Sequence, residues 1–63
     1  MALILSRYKS ESVEINVPGF GPIVITVEDV RSGGLVRLAF EAQREIVIDR
    51  SELAIQKRDA GRL

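Results

Sequence analysis

Histidine and cysteine are both absent from this chain of 63 residues, and that limits the chemistry its side chains could perform. General acid–base or nucleophilic catalysis would have to rest on isolated carboxylates, serines or lysines. The acids are scattered along the chain, and no glycine-rich loop follows a strand pattern to cradle a phosphate. With imidazole and thiolate missing, only carboxylates remain as metal ligands. The sequence therefore points away from an enzyme, and no metal or cofactor is expected.

Nine basic and nine acidic residues give a formal net charge of zero. That balance argues against binding nucleic acid through bulk electrostatic attraction, but leaves room for a local patch built from a few arginines. Tyr8 and Phe20 are the only aromatics besides Phe40. Two candidate stacking rings are too few for a sheet platform that reads single strands. No apolar run approaches the roughly 20 residues needed to span a bilayer. The opening Met-Ala-Leu-Ile-Leu-Ser-Arg is too short and wrongly flanked for a secretory signal, so a cytoplasmic protein with no membrane association is expected.

The elements that must position these side chains are mostly strands. Residues 2–7 form an apolar run rich in Leu and Ile that reads as a buried strand. Val13, Ile15 and Val17 alternate with Glu14 and Asn16 at the period of a half-buried strand. Two prolines and two glycines make residues 18–22 a loop. A strand resumes over residues 23–30, with Ile23, Ile25 and Val27 on one face and Val24, Thr26 and Glu28 on the other. Arg31-Ser32-Gly33-Gly34 is the clearest turn, leading into a return strand over residues 35–40. After the polar connection 41–44, residues 45–48 form a last short strand.

Only the tail reads as helical. Asp49 and Glu52 have capping-box spacing, Lys57 and Arg58 suit the negative end of the helix dipole, and Gly61 ends it. The expected fold is mainly β: a single domain over residues 1–63, with five short antiparallel strands and a short C-terminal helix. A domain this small, without disulfides, commonly needs a partner subunit, and the apolar strand 2–7 would leave an edge inviting one. A homodimer follows.

The order of these elements, and several residues within them, resemble the carbon storage regulator (CsrA/RsmA) family. Leu3-Ile4-Leu5-Ser6-Arg7 followed by Ser10-Glu11-Ser12 matches the family's opening Leu-Ile-Leu-Thr-Arg strand and Gly-Glu-Thr segment. Val36-Arg37-Leu38 and Ala42-Gln43-Arg44-Glu45 match a Val-Arg-Ile strand and an Ala-Pro-Lys/Arg-Glu connection. Ile46-Val47-Ile48-Asp49-Arg50-Ser51-Glu52-Leu53 matches Val-x-Val-His-Arg-Glu-Glu-Ile. The resemblance implies an interlocked dimer in which the first strand of one subunit lies beside the last strand of the other. Each junction would bind an mRNA or small regulatory RNA displaying GGA in a hairpin loop, and translation would be repressed by covering the ribosome-binding site. A protein antagonist is a further partner the family allows. A divergent interaction module that pairs with or antagonises another regulator is the alternative.

Carried over residue by residue, the RNA site comprises Leu5, Ser6 and Arg7 of one subunit with Ala42, Arg44, Glu45, Ile46, Ile48 and Arg50 of the other. Arg50 would meet the RNA backbone and a base face, Arg7 and Arg44 would add phosphate contacts, and Ile46 and Ile48 would supply an apolar floor. The chain departs from the pattern at Tyr8, at Ser10 in place of glycine, at Gln43 in place of proline, and at Asp49 in place of histidine. The 18–22 loop is also longer. Structural roles compete at several positions. Arg50 could pair with an acid at the helix start, Asp49 suits a helix N-cap, and Arg7 could form a surface ion pair. Arg37 suits solvent or a cross-sheet partner, Arg44 and Glu45 a solvated rim, and Lys57, Arg58 and Arg62 a solvated helix face.

Overall fold

A computed structural model describes residues 1–60 of the chain, with the backbone alone for 59 and 60. Three antiparallel strands form one sheet: β1 (Ser12–Val17), β2 (Gly21–Val30) and β3 (Val36–Glu41), in the order β1-β2-β3. A single helix, α1 (Ser51–Ala60), follows. The architecture is mainly β, as the alternating patterns require.

Register explains which side chains share a face. Val13 lies opposite Ile25, Ile15 opposite Ile23, and Phe40 and Leu38 opposite Ile25 and Val27. Because strand side chains alternate, these apolar residues form one face. The other face carries Ser12, Glu14, Asn16, Thr26, Ala39 and Glu41. There the Ser12 and Thr26 hydroxyls meet across the strands at 2.8 Å. Between Val27 and Asp29 the β2–β3 register shifts by one residue, leaving Glu28 as a bulge. The bulge sets Asp29 opposite Arg37 and Val30 opposite Val36.

The β2–β3 turn is the one expected. Residues Ser32–Gly34 form a short 3-10 turn with Gly33 and Gly34 at φ of 83° and 84°, and the Arg31 amide closes it on the Leu35 carbonyl at 2.8 Å. The β1–β2 connection is tighter than expected. Only residues 18–20 turn, and Gly21 and Pro22 already pair with Val17 and Asn16. Pro22 is tolerated because β3 reaches along β2 only as far as Val24, so this end of β2 is flanked on one side alone.

Two of the five expected strands are not strands in the single chain. Residues 1–8 are irregular, and residues 44–46 turn, with the Ile46 amide donating to the Gln43 carbonyl at 3.0 Å. A strand exists only as part of a ladder, and neither segment has a partner backbone among the described residues of its own chain. The outer edges of β1 and β3 are unpaired as well.

Among the described residues no side chain is buried. Ile4 is 90% exposed, Leu3 86% and Val47 74%, and Phe40 and Leu38 on the apolar sheet face remain nearly half exposed. The radius of gyration is 14.2 Å, against about 10.6 Å for a compact domain of this length. The accessible surface of 5811 Å² likewise exceeds the roughly 4,000 Å² of a folded monomer of this mass.

Candidate nucleic-acid interface

The nine expected site residues fall in three places. Arg7 lies on the irregular N-terminal segment, held by a compact turn. Its guanidinium meets the Glu11 carboxylate at 2.6 Å, the other oxygen of which accepts the Tyr8 amide at 2.7 Å. The turn is tied to the sheet where the Ser10 amide donates to the Val27 carbonyl and the Val27 amide to the Glu11 carbonyl. The Tyr8 amide first, and then the Arg7 guanidinium, hold the Glu11 carboxyl below the usual carboxylate range. Leu5 and Ser6 precede this turn and are exposed.

Ala42, Arg44, Glu45 and Ile46 lie by the opposite end of the sheet, following the pairing of Glu41 with Val24. From Val27 to Gly21 the separation along β2 is about 20 Å at strand rise. The Gln43 amide group stands near Gly21 beside the β1–β2 turn.

Ile48 and Arg50 belong to a third location. Together with Asp49 and Leu53 they line an open groove of ≈ 840 Å³ whose other wall is Leu35, Val36, Leu38 and Phe40. Glu28, Arg31 and Arg37 also border it. No hydrogen bond or ion pair among the described residues joins Leu5, Ser6 or Arg7 to the other six. One chain does not bring the nine together.

Arg50 has no ion pair among the described residues, so the competing role of pairing with an acid at the helix start is not seen. Its carbonyl accepts the Leu53 and Ala54 amides, both at 3.0 Å, which places Arg50 itself at the head of α1. Asp49 is therefore one residue too early to be the N-cap. Its carboxylate turns instead to Lys57, with Nζ at 2.9 Å from Oδ2. Lys57 is exposed, as a solvated helix face requires, yet its ammonium is engaged by Asp49, while the Arg58 Nε donates to the Ala54 carbonyl at 3.3 Å. Gly61 and Arg62 lie outside the described residues.

Arg37 is exposed and opposite Asp29, as a cross-sheet partner should be. The Asp29 carboxylate, however, is taken by Arg31 at 3.2 Å and Lys9 at 3.5 Å. Chiefly the Arg31 hydrogen bond, with help from Lys9, lowers the Asp29 pKa. Of the described arginine side chains, Arg37, Arg44 and Arg50 are left with neither a carboxylate nor a carbonyl partner. An uncommitted guanidinium is a ready partner for a phosphate or a base edge.

The family model of the CsrA global regulator protein family matches residues 2–59. The chain belongs to that family. CsrA-family proteins are RNA-binding post-transcriptional regulators and are not known as enzymes. Comparisons with curated proteins and with solved structures give no match. Within the described residues no helix is long and apolar enough to cross a membrane.

The sequence alone did not identify Glu11 as the partner of Arg7, Lys57 as the partner of Asp49, or the approach of Gln43 to Gly21. Glu11 had a signal, since it stands four residues after Arg7, a spacing at which charged side chains commonly meet. The Asp49–Lys57 pair and the Gly21–Gln43 contact had none, because both depend on how the chain folds back.

Proposed function

We propose that this chain acts as a cytoplasmic, single-domain homodimer that binds hairpin RNAs displaying GGA in the loop. It represses translation by covering the ribosome-binding site of an mRNA leader. Leu5, Ser6 and Arg7 of one copy, with Ala42, Arg44, Glu45, Ile46, Ile48 and Arg50 of the other, form each of two equivalent sites. The observation that carries this reading is Arg50, at the head of α1 with no ion pair among the described residues, beside Ile48 in an open groove of mixed apolar and charged lining and inside the segment that matches the family. Its planar fork suits a phosphate, and the apolar side chains of the groove, Leu35, Leu38, Phe40 and Ile48, suit an unstacked base.

The dimer is supported by what the single chain leaves unsatisfied. Two apolar segments lack partners and two sheet edges lack strands, so two copies could supply each other with both. The surface in excess of a folded monomer is about 1,800 Å² per chain. Burying it in a pair would make an interface of roughly 3,500 Å², within the range of obligate dimers. Exchange of the two segments between copies would also bring the N-terminal residues to the 42–50 segment, which one chain does not do.

Cell-free translation tests the regulatory claim. A reporter whose leader carries a GGA hairpin over its ribosome-binding site should be repressed as the protein is added, while a scrambled loop should not. Equal translation of both reporters at saturating protein would overturn the proposal and favour the interaction module.

A further inference from the structure

Asp49 stands next to Arg50 in the chain, and the two line the same groove. A carboxylate there has two ways to harm an RNA site: it can capture the guanidinium, or it can repel the phosphate that the guanidinium is meant to hold. The geometry shows neither in progress. The Asp49 carboxylate faces the Lys57 ammonium at 2.9 Å, a charge-assisted hydrogen-bond distance, and Arg50 has no carboxylate partner among the described residues. The Asp49 side chain is also the better covered of the pair, at 20% exposure against 63% for Lys57. The partial cover reduces solvent screening of the carboxylate, so its neutralisation matters more than at an open surface.

Lys57 reaches this position because α1 begins at Ser51. Lys57 lies four residues beyond Leu53 and three beyond Ala54, on the helix stripe that faces back toward the chain before the helix. Leu53 lines the groove and Ala54 is half-buried, so the stripe is directed at the 48–50 segment.

We infer that Lys57 is a positioning residue for RNA binding: it neutralises Asp49 and so keeps Arg50 available to the RNA, without contacting the RNA itself. The inference rests on the RNA-binding reading above. It assigns the ion pair a role in affinity, since exposed pairs of this kind add little to stability.

A double-mutant cycle on the full-length protein tests it, with a GGA-loop hairpin and a loop-scrambled hairpin as probes. Lys57→Ala should weaken GGA-hairpin binding roughly five- to tenfold, the size expected from one uncompensated charge near a contacted phosphate in partly screened surroundings. Asp49→Asn in the same chain should restore the wild-type affinity, and Asp49→Asn alone should bind at least as tightly as wild type. Thermal unfolding of each variant separates loss of binding from loss of fold. If Lys57→Ala costs the same affinity in the wild-type chain and in the chain already carrying Asp49→Asn, Lys57 touches RNA directly and the inference is overturned. An unchanged affinity in Lys57→Ala overturns it too. Wild-type protein that does not distinguish the two hairpins would instead remove the reading on which the inference stands, and the inference with it.

Discussion

A Cβ on Gly21 would stand 3.3 Å from Nε2 of Gln43, so the turn end of the β1–β2 hairpin and the segment that follows β3 lie close together. Two places where the chain departs from the family pattern, the longer hairpin and the glutamine in place of proline, therefore meet in space.

Gly21→Ala should consequently cost more than Gly19→Ala. Both glycines have positive φ, at 69° and 86°, and each alanine would carry about 1–2 kcal/mol of left-handed backbone strain. Only at Gly21 does the new methyl also displace a neighbour, since a Cβ at Gly19 meets nothing within 4 Å. Chemical denaturation of the two variants checks the order. Adding Gln43→Ala should remove the difference between them.

Ser10 is the one non-glycine residue with a positive φ among the described residues, at 73°, at a position where the family carries glycine. Ser10→Gly should raise stability by roughly 0.5–1 kcal/mol, since relief of the left-handed conformation outweighs the extra freedom that glycine gives the unfolded chain. A shift of the denaturation midpoint to higher denaturant is the expected result.

Glu11 makes the Arg7 turn sensitive to acid. Its folded pKa is depressed by the Tyr8 amide and then by Arg7. The carboxylate's contribution is thus complete above the ordinary range of an unfolded glutamate. It is lost as pH falls through the lowered folded value. A carbon NMR titration should show the Glu11 carboxyl protonating below the ordinary range of a free glutamate, with the Tyr8 amide signal moving in step. Glu11→Gln should abolish that movement.

What the sequence makes legible is what local pattern controls. The period-2 alternation from Val13 to Val17 and from Ile23 to Val30 marks β1 and β2, and Gly33-Gly34 marks the turn into β3. Residues 2–7 and 45–48 carry an equally apolar pattern, yet strand formation there requires a backbone that the chain itself does not provide. The start of α1 shows a different limit. Asp49 and Glu52 have the spacing of a capping box, but spacing alone does not say whether Asp49 or Arg50 heads the helix. Nor does it reveal that Lys57 has taken the Asp49 carboxylate. The arginines were identifiable as candidates by motif, whereas their separation into committed Arg7 and uncommitted Arg44 and Arg50 depends on the fold.

Since no described side chain is buried within one chain, folding and association should be one event. The melting temperature should rise with protein concentration, as mass action requires of an obligate dimer. Differential scanning over a wide range of protein concentration measures this. A constant melting temperature across that range would show a self-sufficient monomer.

The central claim, that Arg50 serves a loop-selective RNA site, is tested most directly by titrating the protein with a short GGA-loop hairpin at moderate salt. The loop-scrambled hairpin and the Arg50→Ala protein are measured alongside. The expected result is binding that depends on the loop and falls by about tenfold or more in Arg50→Ala, as loss of a charge-assisted contact implies. Equal, weak binding of wild type and Arg50→Ala to both RNAs would contradict it.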